Sequence, residues 1–88
     1  MTTKAPSAVQ EFSADTLEKI AYTSVATIVT VEPNDRNRLG YHVWRWLTEK
    51  QGTLQQAVAE SGARLTVSHA DAANVIAESL KKLGVSLS

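Results

Sequence analysis

Residues 15–33 read DTLEKIAYTSVATIVTVEP, and the secondary structure of this run decides whether the chain is a helical bundle or a mixed fold. Taken as helix, Leu17, Ile20, Ala21, Ser24, Ile28 and Val31 fall on one stripe at spacings of three and four, closed by Pro33. Taken locally, Thr23 to Val31 is crowded with β-branched residues, and Val25, Thr27, Val29 and Val31 alternate as in a strand. Helix over Asp15 to Glu32 is the preferred reading. Asp15 and Glu18 have the spacing of a capping box, and a strand of this length would exceed the usual ~5–6 residues. No charge occurs from Ile20 to Val31, a stretch too short for the roughly 20 residues of a bilayer span. With Val25 and Val29 off the main stripe, this helix is expected to be apolar on more than one side. It is then either the central helix of a bundle or a homodimer contact made through Val25 and Val29.

Two further cap signatures divide the remainder. Thr53 precedes Gln56, and Ser68 precedes Asp71, each pair spaced so that the first side chain accepts from the opening turn while the fourth reaches back. Pro33-Asn34-Asp35 reads as a turn with an N-cap candidate, predicting a helix from about Arg36 to Gln51 before Gly52. A short helix with Leu54, Ala57 and Val58 inward should run from Thr53 to Ser61-Gly62, where glycine suits a left-handed C-cap. After a link over Ala63 to Val67, a last helix carries Ala72, Ala73, Ile76, Leu80 and Leu83 inward, with Lys81 and Lys82 in its final turn and Gly84 at its end. Leu65 and Val67 alternate with polar residues, as do Val85 and Leu87. The expected fold is all-α, a small bundle of about four helices, with a minor two-stranded ribbon joining 65–67 to 85–87.

An 88-residue chain with 43% hydrophobic content suffices for one modest core. Residues 1–12 lack a basic start and an apolar stretch, so they read as a flexible tail rather than a signal peptide, leaving 13–88 as the single domain. The chain has no cysteine, which excludes disulfides, thiolate metal sites and cysteine nucleophiles. It also leaves the redox compartment open, with cytoplasm as the default. Net charge is zero but unevenly spread. Residues 1–35 hold two lysines against five acids, a net of −3, and residues 36–88 hold seven basic against four acidic residues, a net of +3. That dipole suits self-association or an anionic partner, yet falls short of the basic excess of a dedicated nucleic-acid binder.

On the 36–51 helix, Leu39, Val43, Trp46, Leu47 and the stem of Lys50 share one face. Tyr41 lies nearly opposite and Trp44 to the side, next to Arg45, while Arg38, His42, Arg45 and Glu49 line a polar edge. Tyr, Trp and Arg are the side chains most enriched at interface hot spots. Tyr41, Trp44 and Arg45, flanked by Arg38 and His42, are therefore the candidate partner-binding residues. The bland alternative packs Trp44 onto the first helix or the tail.

The order of helices also suits a winged-helix or helix-turn-helix DNA-binding regulator. Against it, the exposed face of the last helix offers Asp71, Asn74 and Glu78 before Lys81 and Lys82. The link around Ala63 to Ser68 is also long for the three- to four-residue turn of that motif. Catalysis has less to stand on. His42 and His69, the only histidines, lack metal-ligand spacing, His42 reading as solvated and His69 as partly buried on the apolar side; no metal or cofactor is expected. No phosphate-cradling loop or nucleophile elbow occurs. Thr66 to Asp71 resembles the entry to the last helix of histone folds, whose long central helix is excluded here by Gly52 and the Thr53 cap. The expectation is a non-enzymatic interaction or regulatory module, a homodimer presenting the 36–51 helix to a protein partner.

Overall fold

Ser13, not Asp15, begins the first helix. Its hydroxyl accepts from the Thr16 amide at 3.1 Å, which leaves Asp15 inside the first turn, where its charge favours the helix dipole. In the computed structural model, which describes residues 12–49, 51–85 and 87, four helices follow in order: α1 Ala14–Ser24, α2 Pro33–Glu49, α3 Leu54–Glu60 and α4 His69–Lys82. The chain is a small all-α bundle in which α1 packs on α2 and α4, and α3 bridges α2 and α4. Residues 1–11 of the expected tail lie outside the described residues, and Phe12, at its end, is half-buried against the core.

α1 stops eight residues short of the helix expected to reach Glu32. Leu17, Ile20, Ala21 and Ser24 are buried as the stripe requires. The Ser24 hydroxyl then donates to the Ala21 carbonyl at 2.7 Å, competing with the backbone for an acceptor that a continuing helix would use. The β-branched run follows, and the chain leaves the helix through a turn in which the Ile28 amide donates to the Val25 carbonyl at 3.0 Å. Val29 to Val31 is extended. The strand reading of Thr23 to Val31 does not hold either, since Thr23 and Ser24 end the helix, Val25 to Thr27 turn, and only Thr30 makes a bridge.

Its partner is not the C-terminus. Thr30 pairs with Leu65 in a single antiparallel bridge, flanked by Val31 N–H to Arg64 C=O at 3.0 Å and Thr66 N–H to Val29 C=O at 3.4 Å. The expected pairing of 65–67 with 85–87 is replaced because Val85 is used elsewhere. Gly84, at φ +96°, donates to Lys81 C=O at 3.1 Å, and the Val85 amide reaches Leu80 C=O at 2.9 Å. This pair of hydrogen bonds around a glycine of positive φ closes α4 and turns the Val85 side chain into the core. Leu83, expected on the buried stripe, is instead the cap residue and is 36% exposed.

α2 begins at Pro33, where the missing amide and fixed φ of proline suit a first helical position. Asp35 follows in that first turn with a fully buried carboxylate. It accepts the Glu32 amide at 3.1 Å, pairs with Arg38, and meets Arg64 Nε at 3.3 Å. Arg36 adds a hydrogen bond from Nε to the Ile28 carbonyl at 3.1 Å. One turn of α2 thereby holds the extended 28–32 segment and the α3–α4 link together.

The core is formed by Leu17, Ile20, Val25 and Ile28 against Leu39, Val43 and Leu47, closed by Val58, Ile76 and Leu80. α1 and α2 approach closely because Gly40, inside α2, lies beneath the Tyr22 ring. A Cβ there would fall 2.7 Å from Tyr22 Cε1 and 3.1 Å from Cγ. α3 opens with the expected reciprocal cap, Thr53 Oγ1 accepting from Gln56 N–H at 3.1 Å and Gln56 Oε1 from Thr53 N–H at 2.8 Å. At its other end the Ser61 hydroxyl donates to Val58 C=O and accepts from Ala63 N–H, relaying a bond that the backbone does not make directly.

Two substitutions test this architecture. Asp35→Ala should cost about 2–3 kcal/mol, because charge-assisted bonds and a helix cap are lost while the half-exposed arginines regain water; urea unfolding measures it, and a loss below ~1 kcal/mol would show that Asp35 does not organise the junction. Gly40→Ala raises helix propensity by roughly 1 kcal/mol, yet overlap with the Tyr22 ring should make it destabilising by ~1–3 kcal/mol. In a Tyr22→Ala background the same change should become stabilising, and a Gly40→Ala variant more stable than wild type would refute the contact.

Candidate functional site

The second half of α2 is held from one side by the core and presents aromatic and charged side chains on the other. Leu39, Val43 and Leu47 are 0% exposed, so the helix cannot rotate without emptying the core. Tyr41 is 43% exposed, its ring centroid 6.0 Å from Trp44 at an interplanar angle of 58° and 5.5 Å from His42 edge-on. The Arg45 guanidinium stands 5.9 Å from the Tyr41 centroid, within the range of a cation–π contact. Its Nε and a terminal nitrogen each donate to Glu49 at 3.2 Å. That bonded carboxylate holds the Arg45 pKa above its ordinary value, although a guanidinium stays cationic in any case.

The two tryptophans do not divide into one exposed and one buried. Both are half-buried against the core. Trp46, expected on the core stripe, swings to the edge and donates from Nε1 to the Gly52 carbonyl at 3.1 Å, fastening the α2–α3 connection. Trp44 has its Nε1 buried without a hydrogen-bond partner among the described residues. Lys50, expected on the same face, lies outside the described residues.

Of the flanking residues, Arg38 points back along α2 to Asp35, away from the Tyr41 cluster. His42 joins the cluster, with Nδ1 3.1 Å from the Arg38 carbonyl. Beside it a cleft of about 210 Å³ opens between α2 and α3, lined by His42, Arg45, Trp46, Glu49, Gln56 and Glu60. The α3 residues of this cleft carried no signal in the sequence, because the crossing of α3 over α2 is set by Leu54, Ala57 and Val58 packing inward. His69, expected to be partly buried, is exposed in the first turn of α4.

Val25 and Val29, expected to form one self-association surface, are separated. Val25 is 0% exposed and belongs to the core, whereas Val29 is 61% exposed on the extended segment. The early end of α1 places the two in different elements, so Val25 cannot contact a second copy. Among the described residues no group of three or more His, Asp or Glu side chains could hold a metal ion, and no helix is long and apolar enough to cross a membrane. Comparison with known protein families, with curated proteins and with solved structures finds no match.

Proposed function

We propose that the protein is a non-enzymatic interaction or regulatory module of the cytoplasm that presents α2 to a protein partner and self-associates as a homodimer. The observation that carries the partner reading is the convergence of Tyr41, Trp44 and Arg45 on one rigid helix. Arg45 is held in place by Glu49 at two points, so little side-chain freedom is lost when a partner docks. The rings supply apolar area and the guanidinium directional bonds, the combination typical of hot spots. The α2–α3 cleft adds a polar rim on one side.

Catalysis finds less support. His42 uses one ring nitrogen on its own helix, and His69 is exposed on a separate element. A DNA-binding reading likewise lacks a favouring observation, since the exposed first half of α4 offers His69, Asp71 and Asn74 and no arginine.

The test is affinity capture from cell extract with wild type beside Tyr41→Ala, Trp44→Ala and Arg45→Glu. A partner recovered by wild type should bind Trp44→Ala ~30-fold more weakly or worse, the equivalent of about 2 kcal/mol. Equal recovery by all variants would remove the α2 face from the function. Because Trp44 is half-buried, its truncation should also cost roughly 2 kcal/mol of stability, and Trp46→Ala a similar amount. Trp44→Phe removes the unpartnered donor and should stay within ~1 kcal/mol of wild type. Labelled duplex DNA should show only weak, sequence-independent association near physiological salt; tight, sequence-dependent binding there would overturn the protein-partner reading.

A further inference from the structure

Two of the six large apolar side chains exposed among the described residues, and the two most exposed, lie on one small ribbon: Val29 at 61% and Val31 at 58%. The bonding pattern explains why. Thr30 and Leu65 form a pair without hydrogen bonds between them, so their side chains share one face of the ribbon, and Val29, Val31, Arg64 and Thr66 share the other. Leu65 packs against the core, which turns the valine face to solvent. Natural edge strands are usually blunted by lysine, proline or a cover. Here Glu32 and Arg64, 64% and 57% exposed and 3.8 Å apart, border the valines.

We infer that this face, formed by Val29 and Val31 beside Arg64 and Thr66, is where a second copy of the chain docks. The inference rests on the homodimer part of the proposed function and is independent of the Tyr41–Arg45 face. Charge selects a second copy as the occupant. A two-fold axis through the ribbon lets the Glu32 of one copy meet the Arg64 of the other, so an opposed pair on each side replaces one loose intramolecular pair. Two valines cover only a fraction of the ~800 Å² per partner of a stable complex, so the dimer should be weak and should dissociate on dilution.

Sedimentation equilibrium on the full chain, from micromolar to millimolar, reads the mass directly. Wild type should pass from monomer toward dimer. Val29→Lys and the gentler Val29→Thr/Val31→Thr pair, which keeps β-branching, should each raise the dissociation constant about tenfold or more, with the circular dichroism spectrum retained. Glu32→Lys should weaken the dimer as well, by setting like charge against Arg64. Trp44→Ala, on the other face, should leave the mass unchanged. A wild type monomeric at every concentration overturns the inference. So does a dimer that tolerates the valine variants, and one abolished by Trp44→Ala places the contact on α2 instead. Loss of partner capture with dimerisation intact would count against the α2 reading alone.

Discussion

A carboxylate with no exposed surface stands where the start of α2 meets a segment distant in sequence, the α3–α4 link. Asp35 accepts the amide that precedes α2, pairs with Arg38 one turn along the helix, and takes Arg64 from the α3–α4 link. A buried charge is costly unless paired and hydrogen-bonded, so the carboxylate specifies its surroundings. Both arginines have to arrive from directions in which their remaining nitrogens still meet water, and the chain before Pro33 has to pass within reach. With that junction made, Thr30 is brought beside Leu65 and the link between α3 and α4 is drawn onto the first half of the protein.

The early end of α1 follows from the same arrangement. A helix continued to Glu32 would carry Val29 and Val31 away from Arg64 and Thr66 and would leave the Arg64 carbonyl and the Thr66 amide without their partners. Local chemistry agrees, since Ser24 bonds back to Ala21 and the residues after it are β-branched. Two weak local preferences and one tertiary pairing thus act in the same direction. The result is a bundle in which the segment around Thr30 presents Val29 and Val31 to solvent.

The second half of α2 illustrates how a rigid scaffold places side chains without shaping a deep pocket. Three residues with no exposure fix the rotation of the helix, and the i, i+3 and i, i+4 geometry then brings Tyr41, Trp44 and Arg45 together. Gly40 allows α1 to lie close enough for Tyr22 to cover the helix one residue before Tyr41. The aromatic cluster therefore sits beside a tightly packed crossing, where the backbone is least free to yield.

Periodicity and capping residues determined most of the helical skeleton, because both depend on neighbours within one turn. The starts of α3 and α4 at Thr53 and Ser68, the inward residues Leu54, Ala57 and Val58, the stripe Leu39, Val43 and Leu47, and the glycine endings at Gly62 and Gly84 were all legible in the sequence. The proximity of Tyr41, Trp44 and Arg45 was legible for the same reason. Residues 25–32, preferred as helix from the sequence, were turned from it by tertiary structure acting with weak local preferences, through a partner 35 positions away, Leu65 for Thr30. Tertiary structure also decided the place of Trp46, which left the core stripe to bond Gly52, and the meeting of Asp35 with Arg64. Neither leaves a periodic trace, since an ion pair or hydrogen bond between distant segments depends on where the chain returns and not on the spacing of residues along it.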